Sequence, residues 1–310
     1  MLRPDKTLIV IVGPTGIGKT ELAIQLAKYY HTDIVSADSR QFFKETAIGT
    51  AKPTESELQA AKHHFINSHS ILEEFSVGDF EKEALRVIEG IFANNRYALL
   101  VGGSGLYINA ICEGFDNIPK PGEGVRQKLN DLYAQEGITV LQDTLKKADP
   151  GYYSQVDLNN PQRLIRALEV FETSGLPFSS YRNKELTSRP FNIIKVGLNT
   201  SRAELYDRIN RRVDLMMEKG LLKEVTGLLP YRNLNALNTV GYSELFEYLE
   251  GKVSLEEAVD KIKQNTRRFA KRQLTWFNRQ QDIKWFKPGD PEEVIAYLNQ
   301  RFLQSPEHAG

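Results

Sequence analysis

A glycine-rich turn near the N-terminus constrains the fold more than any other feature of this chain. Residues 13–20 read GPTGIGKT, between the apolar run TLIVIV at 7–12 and the helically spaced KTELAIQLAKYY at 19–30. A strand, a G-x-x-x-x-G-K-T turn and a helix in this order form a phosphate-binding loop, in which backbone N–H groups and the helix N-terminus face an anion. Lys19 adds a positive charge, and the Thr20 hydroxyl suits Mg²⁺.

Strands and helices alternate after this loop. Apolar runs at 33–39, 97–103 and 191–199 predict further strands, and DFEKEALRVIEGIFAN at 79–94 has helical spacing. Alternation of this kind is typical of parallel sheets, whose crossover connections are helices. We therefore predict an α/β fold, a P-loop doubly wound parallel sheet flanked by helices on both faces.

The pattern changes at a proline- and glycine-rich break, DNIPKPGEG, at 116–124. Residues 125–175 are helical throughout, and PQRLIRALEVFETSG is the clearest helix, with Pro161 in its first turn and Gly175 at its end. This pattern predicts an inserted all-helical smaller domain. The predicted domains are a core formed by 1–115 and 190–310 and an insertion at 116–189.

Composition excludes several classes of protein. No apolar run in the 310 residues reaches the roughly 18 residues of a membrane span, and the N-terminal apolar segment is too short for a signal peptide. The single cysteine, Cys112, excludes an intramolecular disulfide and fits a reducing compartment. The expectation is a cytoplasmic protein without membrane contact, in which Cys112 is a small buried residue.

The residues around the loop lack two motifs that nucleotide hydrolases usually have. The strand at 97–103 ends in Gly102-Gly103 instead of an acidic residue, and no N-K-x-D sequence is present to bind guanine. Asp38, in SADSRQFF, is the one aspartate expected at a strand end beside the loop. Three roles remain open for it on spacing alone: metal ligand, general base, or helix cap together with Ser39. The second glycine-rich turn, GGSGLY, either approaches a ligand through Ser104 or only packs.

Positive charge is concentrated near the C-terminus. Residues 261–281 contain seven Lys or Arg and no acidic residue, although the whole chain has 40 of each sign. Helical spacing puts Arg268, Arg272, Thr275 and Arg279 on one face, which favours a phosphate backbone over a merely solvated surface. The remaining large apolar residues are expected to face the core: Phe269, Leu274, Trp276 and Phe277.

Two other groups of residues have weaker signals. His63, His64 and His69 resemble a metal cluster, but we expect a structural role because adjacent histidines on a helix diverge and no companion ligands are present. Arginines also cluster at 163 and 166 and at 208, 211 and 212. In the second cluster, the apolar stripe Leu205, Ile209, Val213 and Met216 is expected to face the core, which leaves some of the arginines free to face the ligand crevice at the strand ends.

Eight motifs in order resemble the bacterial tRNA dimethylallyltransferase family, the isopentenyl transferases that prenylate tRNA. They are GPTGIGKT, SADSRQFF, IGTAKP, LLVGGSGLY, NNPQRLIRALEVFETSG, RINRRVDLMMEKGLLKEV, VGYSEL and RRFAKRQLTWF. They span most of the chain, so the resemblance is far more specific than the phosphate loop alone.

The resemblance implies transfer of a dimethylallyl group from its diphosphate to N6 of the adenosine 3′ of the anticodon. Asp38 would accept the N6 proton, while Thr15 and Ser104 would lie at the substrate and Arg212 at the diphosphate. Mg²⁺ would be the cofactor, held by Thr20. The implied diphosphate-binding residues are Gly13, Pro14, Thr15, Gly16, Ile17, Gly18, Lys19, Thr20 and Arg212.

The implied partner is the anticodon stem-loop of tRNA, from which the target base would be extruded. We expect a monomer. Together with the basic helix, the resemblance predicts RNA contacts at Asp38, Ser39, Arg40, Gln41, Arg126, Gln162, Arg163, Leu164, Ile165, Arg166, Val240, Gly241, Tyr242, Arg268 and Arg272.

The sequence departs from the family pattern in three places. Gly16-Ile17 replace a usual Ala-Ser, Phe43 replaces a common Tyr, and Ser104 replaces a common Thr. Phe43 therefore has no hydroxyl to contribute, whereas Ser104 retains one. The sequence has no D-D-x-x-D motif, the usual magnesium device of prenyl-diphosphate enzymes.

Two alternatives use the same loop. A nucleotide or small-molecule kinase would bind ATP and use the insertion as a lid, and an NTP-dependent RNA-binding switch would bind RNA without transfer. The GTAKP and VGYSEL segments and the acid-free basic helix favour the prenyltransferase, since a small-molecule kinase needs none of them.

Overall fold

The computed structural model describes residues 5–116, 118–182 and 187–303. The chain divides into two compact units. One is formed by the chain up to Glu113 and again from Ser188, and the other by Gly114–Thr187. The sequence-based borders of the insertion, 116 and 189, lie close to these positions.

The larger unit is built on one parallel sheet in the order β3-β2-β4-β1-β5-β6. The predicted parallel α/β fold is confirmed. Strands at 63–64 and 283–286 were not predicted from the sequence. The strands are β1 (Thr7–Val12), β2 (Ile34–Ser36), β3 (His63–His64), β4 (Tyr97–Gly102), β5 (Asn192–Leu198) and β6 (Ile283–Phe286).

Helices cover both faces of this sheet. In β1, Leu8, Val10 and Val12 join one core cluster and Ile9 and Ile11 join the other, because successive side chains of a strand point to opposite faces. The helices of this unit are α1 (Lys19–Tyr30), α2 (Glu55–Ala60), α3 (Val77–Asn94), α4 (Gly105–Glu113), α9 (Arg202–Glu218), α10 (Leu221–Leu228), α11 (Tyr242–Leu249), α12 (Leu255–Phe277) and α13 (Pro291–Leu303). No helix within the described ranges is both long and apolar enough to cross a membrane.

Two glycines let the strand ends approach closely. Gly13 has φ 145°, and a Cβ there would lie 2.6 Å from the Leu198 carbonyl oxygen. Gly102 packs against Ala37, whose carbonyl oxygen would be 2.3 Å from an added Cβ. The carboxyl ends of β1, β2, β4 and β5 therefore meet without intervening side chains, which brings the turns that follow them together.

The smaller unit is a helical bundle around its own core. As predicted, Pro161 lies in the first turn of α8 (Pro161–Ser174) and Gly175 ends the helix with φ 71°; in addition, Asn160 caps it by accepting from the Arg163 N–H. The helices of this unit are α5 (Val125–Glu136), α6 (Ile138–Ala148), α7 (Pro150–Tyr153) and α8 (Pro161–Ser174).

Two expectations about single residues have clear outcomes. Cys112 is buried as expected, and burial raises the pKa of its thiol to about 12, so it remains protonated. His63 and His64 form a strand, so the assumption that they lie on a helix is wrong. His64 Nε2 pairs with Asp33 Oδ2 at 2.8 Å, and the described residues contain no group of three or more potential metal ligands. His64 therefore has the expected structural role, whereas that of His63, which lines a cleft together with Ile34 and Asp38, stays a prediction.

Candidate functional site

A cleft of about 310 Å³ lies at the carboxyl ends of β1, β2 and β4 in the larger unit. Apolar residues, among them Ile34, Ala51 and Pro53, form part of its wall. Many of the residues singled out from the sequence also line it, although they are far apart in the chain. They are Thr15, Gly16, Gly18, Lys19, Thr20, Asp38, Gln41, Arg208 and Arg212.

The phosphate loop has the conformation that its glycines permit. Gly16 and Gly18 have φ of 79° and 103°, in the left-handed region, and α1 begins directly afterwards at Lys19. The Lys19 ammonium donates to the carbonyls of Gly13 (3.0 Å) and Pro14 (2.9 Å). Ile17 is fully buried, so its predicted contribution to an anion site is limited to its backbone.

The charge on Lys19 depends on its neighbours. Burial lowers the pKa of Lys19 to about 8, against the opposing effect of Asp38, and Arg212 lowers it further. A bound anion beside such a buried lysine favours its protonated form and raises its pKa again. The loop therefore combines oriented N–H groups with a cation that a bound anion would stabilise.

We expect the affinity for inorganic diphosphate to fall as the pH rises above about 8. Below that pH the Lys19 amine already carries its proton. Above it, binding must take up a proton, which weakens affinity by up to about tenfold per pH unit. Calorimetric titration without added metal measures this slope. Lys19→Arg stays charged and should lose the slope, and a variant that keeps the wild-type slope would contradict the assignment.

Asp38 lies on the wall of the cleft just after β2. Its Oδ1 accepts from the Arg40 N–H at 2.9 Å, which stabilises a turn. No helix starts there, so the helix-cap interpretation is wrong, although the side chain does stabilise the local backbone. Oδ2 has no hydrogen-bond partner among the described residues. One carboxylate oxygen is thus fixed and the other remains available for a ligand.

The Ser104 hydroxyl joins the two turns that follow β2 and β4. It accepts from the Ser39 N–H and donates to Ser39 Oγ, both at 3.2 Å. These bonds tie the GGSGLY turn to the segment that carries Asp38, but Ser104 itself does not line the cleft.

The two cleft arginines of α9 differ in their surroundings. The Arg208 side chain is 38% exposed and lies 3.8 Å from Glu204 Oε1. Arg212 has no ion pair within the described part of the chain, and burial lowers the pKa of its guanidinium while Asp38 opposes the shift. Arg212 therefore has its charge available for a ligand anion, whereas that of Arg208 is partly neutralised and solvated.

Gln273 of α12 was not identified from the sequence, yet it joins both glycine-rich turns. It is 7% exposed; its Oε1 accepts from the Thr15 N–H at 2.8 Å, and its Nε2 donates to the Gly103 carbonyl at 2.9 Å. These partners fix the orientation of the amide. An added Cβ on Gly103 would lie 2.3 Å from Nε2, which explains the glycine there.

We expect Gln273→Met to weaken the binding of inorganic diphosphate about tenfold. Methionine preserves length and apolar packing but leaves a buried N–H and a buried carbonyl without partners, so the phosphate loop loses its anchor. Calorimetric titration gives the dissociation constant. Gln264→Met, at an exposed position of the same helix, is the matched control. Unchanged affinity in Gln273→Met would contradict this role.

The basic face of α12 is exposed, but the prediction for its aromatic residues is partly wrong. Arg268 and Arg272 face solvent as expected. Phe277 is buried, whereas Phe269 and Trp276 are 38% and 39% exposed instead of facing the core. Of the two exposed rings, Phe269 lines the cleft. The helix ends at Phe277, so Arg279 lies beyond it.

Three predicted RNA contacts of the larger unit have structural roles. The Arg40 guanidinium donates to the carbonyls of Asn235, Ala236 and Asn238 at 2.9 to 3.2 Å. Gly241 and Tyr242 are buried, so direct contact of the Tyr242 side chain with RNA is contradicted. Val240 is partly exposed.

In the smaller unit the predicted RNA-contact residues divide in the same way. Leu164 and Ile165 are fully buried, so their side chains cannot contact RNA, while Gln162 and Arg163 are exposed. The carboxylate of Glu169, itself fully buried, pairs with the Nε of Arg126 at 2.5 Å and with Nη1 of Arg166 at 3.3 Å. This ion pair network holds two guanidiniums whose side chains are 48% and 32% exposed.

Comparison with known proteins identifies close relatives. The tRNA dimethylallyltransferase of Christiangramia forsetii is 54% identical over 295 residues, 95% of this chain and 98% of that protein. The tRNA dimethylallyltransferase 1 of Bacteroides thetaiotaomicron is 48% identical, with 97% of each chain covered. The crystal structure of the Bacillus halodurans tRNA isopentenylpyrophosphate transferase has a TM-score of 0.73 at 37% identity, covering 98% of this chain and 99% of that one.

A eukaryotic dimethylallyltransferase acting on tRNA is also similar, with a TM-score of 0.76 at 28% identity over 96% of this chain and 78% of that one. The family model described as IPP transferase matches residues 41–280, which include Gln41, both cleft arginines and Gln273. With near-complete coverage by relatives about half identical in sequence, the chain belongs to the IPP transferase family.

Proposed function

We infer that this protein transfers a dimethylallyl group from dimethylallyl diphosphate to N6 of the adenosine 3′ of the anticodon in tRNA, releasing diphosphate. Membership of the family supports the reaction. The observation that carries the inference is the shared cleft, in which a phosphate loop and Arg212 face the same space as Asp38. An anion site and a proton acceptor side by side suit an alkyl transfer whose leaving group is an anion.

Stabilisation of the leaving diphosphate is the first task of the site. As the carbon–oxygen bond breaks, negative charge grows on the diphosphate and positive charge on the allylic carbon. The loop N–H groups, Lys19 and Arg212 are fixed donors for that negative charge, and donors that need no reorganisation give the largest effect. We propose Gly13–Thr20 and Arg212 as the diphosphate-binding residues.

We propose Mg²⁺ as the cofactor, with the Thr20 hydroxyl as its protein ligand. Thr20 lines the cleft beside Lys19, and the described residues contain no cluster of acidic or histidine ligands. The hydroxyl of the threonine that ends a phosphate loop fits Mg²⁺, which would take its other ligands from substrate phosphate and water. When bound, the ion would neutralise part of the charge of the diphosphate.

Activation of the adenine amino group is the second task. An exocyclic amine is a weak nucleophile, and a carboxylate that accepts a hydrogen bond from N6–H orients it and takes its proton as the new bond forms. We assign this role to Asp38, through the oxygen that does not accept from Arg40. Thr15 and Ser104 are proposed to contact the reacting groups from the two turns that Gln273 connects.

The proposed tRNA-binding surface includes the outer strip of α12, where Arg268 and Arg272 suit phosphates and the exposed Phe269 and Trp276 suit unstacked bases. In the smaller unit, Arg126, Gln162, Arg163 and Arg166 are the proposed contacts. We propose a functional monomer, since Thr15, Lys19, Thr20, Asp38 and Arg212 already line one cleft within a single chain.

The kinase and switch alternatives are not favoured. Gly102 and Gly103 at the end of β4 leave no acidic residue where a nucleotide hydrolase needs one. The relatives that match the chain almost in full are named as transferases acting on tRNA.

The test is incubation of the protein with unmodified tRNA, dimethylallyl diphosphate and Mg²⁺, followed by mass spectrometry of the nucleosides. We expect one added dimethylallyl group on the adenosine 3′ of the anticodon, and none when guanosine replaces that adenosine. Absence of transfer together with phosphorylation of a small acceptor by ATP would overturn the inference.

A further inference from the structure

One wall of the cleft is a loop without regular structure that a distant carboxylate holds in place. Residues 46–53 follow the Asp38 turn, and Ala51 and Pro53 line the cleft. The backbone N–H groups of Ala47, Ile48 and Gly49 all donate to the Glu224 carboxylate, at 3.0, 2.7 and 3.0 Å. Three successive amides that converge on one anion form a nest, which Glu224 occupies from α10.

Tyr242 completes this anchor. Its hydroxyl donates to Glu224 Oε1 at 2.6 Å, and the ring is fully buried against Gly49, where an added Cβ would lie 2.5 Å from it. Burial and the neighbouring carboxylate raise the pKa of Tyr242, which keeps the hydroxyl protonated as a donor. Glu224 thus accepts four hydrogen bonds, of the strong kind made to a charged acceptor.

The other side of the loop is tied to the segment that carries Asp38. Gln41 Nε2 donates to the carbonyls of Thr50 and Ala51, both at 3.1 Å, and Gln41 itself lines the cleft. Ala51 has φ 46°, a left-handed conformation that is unfavourable for a residue with a Cβ and persists where its surroundings fix it. No hydrogen bond in the described ranges joins residues 46–53 to the phosphate loop.

From these contacts we propose that Glu224 is a positioning residue for the nucleophile side of the reaction. It acts through the 46–53 loop and Gln41 on the wall that receives the target adenosine, and it does not act on the diphosphate. The proposal rests on the proposed function, because it assigns this wall to the RNA substrate. It also gives the buried Tyr242 a role: the residue supports the tRNA site without touching the tRNA.

The test compares Glu224→Gln with wild type on both substrates. Glutamine has nearly the same shape, but its NH₂ group meets backbone donors instead of accepting from them. We expect kcat/KM for tRNA to fall about 10- to 100-fold, since small misplacements of a reacting group have effects of this size. The dissociation constant of inorganic diphosphate should stay within about twofold of wild type, because the anchor preserves only the RNA-facing wall.

Two further variants test whether the loss of tRNA activity follows from the loss of the Glu224 hydrogen bonds. Tyr242→Phe removes one of the four hydrogen bonds and should lower kcat/KM for tRNA less than Glu224→Gln does. Glu45→Gln is the matched control, since the Glu45 carboxylate also accepts from a neighbouring loop, from the Ile71 N–H (3.0 Å) and the Ser70 hydroxyl (2.6 Å), but those residues do not line the cleft. Glu45→Gln should change neither kcat/KM for tRNA nor the dissociation constant of inorganic diphosphate by more than about twofold.

Hydrogen exchange supplies a readout that needs no transfer. In Glu224→Gln the amides of residues 47–51 should exchange faster, while those of α1 keep wild-type protection. Wild-type kinetics and exchange in this variant, or equal losses of diphosphate and tRNA function, would overturn the proposal. Absence of transfer in the wild-type protein would instead overturn the proposed function, and the exchange pattern would still decide whether Glu224 holds the loop.

Discussion

Asp38→Asn should abolish most of the transfer activity while the protein still binds tRNA. Asparagine retains the oxygen that accepts from the Arg40 N–H, so the turn after β2 is preserved. It cannot accept a proton as a carboxylate does, and loss of a general base costs about 10²- to 10⁴-fold in rate. Single-turnover transfer from labelled dimethylallyl diphosphate gives the rate, and filter binding gives the tRNA affinity.

Asp33→Asn is the control for this substitution. Asp33 lies just before the opposite end of the same strand, where it pairs with Lys62 and His64 outside the cleft. That variant should transfer at close to the wild-type rate. A wild-type rate in Asp38→Asn would show that Asp38 is not the general base.

Arg212→Met should have the second largest effect, and a larger one than Arg208→Met. Removing one donor from the charge that develops in a transition state typically costs about 10²- to 10³-fold. Arg212 faces the cleft without an ion pair in the described residues, whereas the Arg208 side chain is 38% exposed and close to Glu204. We expect the loss in Arg208→Met to be about tenfold or less.

Steady-state kinetics with varied dimethylallyl diphosphate provide the comparison, with inorganic diphosphate as a competitive probe. The pair of variants is informative because both arginines line the same cleft from the same helix. Equal losses of activity in the two variants would mean that the exposure of Arg208 and its proximity to Glu204 do not make it less important than Arg212. A larger loss in Arg208→Met would reverse the assignment.

Sequence patterns predicted the parts of the fold that depend on neighbouring residues. The helix at 19–30 is α1, and the strand at 97–103 is β4 without its last glycine, because each is defined by its own apolar pattern and its own terminating residues. The position of Asp38 beside the phosphate loop also followed, since the carboxyl ends of parallel strands share one edge.

Contacts between distant residues could not be predicted in this way. Gln273 is 258 residues from Thr15, and Glu224 is 175 residues from Gly49, and nothing in the local sequence of either distinguishes a positioning residue from a surface one. The exposure of Phe269 and Trp276 is a similar case. Spacing fixes which residues share a helix face, but the tertiary packing decides which face is covered.

The prediction of short elements was wrong for a related reason. The two-residue strand β3 is too short to show an alternating pattern, so His63 and His64 were assigned to a helix. Tyr242 was assigned to the tRNA surface because its motif belongs to the RNA-binding part of the family pattern. Its burial against Gly49 and Glu224 becomes visible only when the fold brings these three residues together.

The proposed reaction requires that diphosphate, the group expected at the phosphate loop, is the leaving group and not the transferred group. Dimethylallyl diphosphate with ¹⁸O in the oxygen that bridges carbon and phosphorus tests this directly. After reaction with tRNA, mass spectrometry should find the ¹⁸O in the released diphosphate and the hydrocarbon on adenosine N6, because the carbon–oxygen bond breaks. Label found in dimethylallyl alcohol, with phosphate transferred to an acceptor, would show that the phosphorus–oxygen bond breaks and that the protein is not a prenyltransferase.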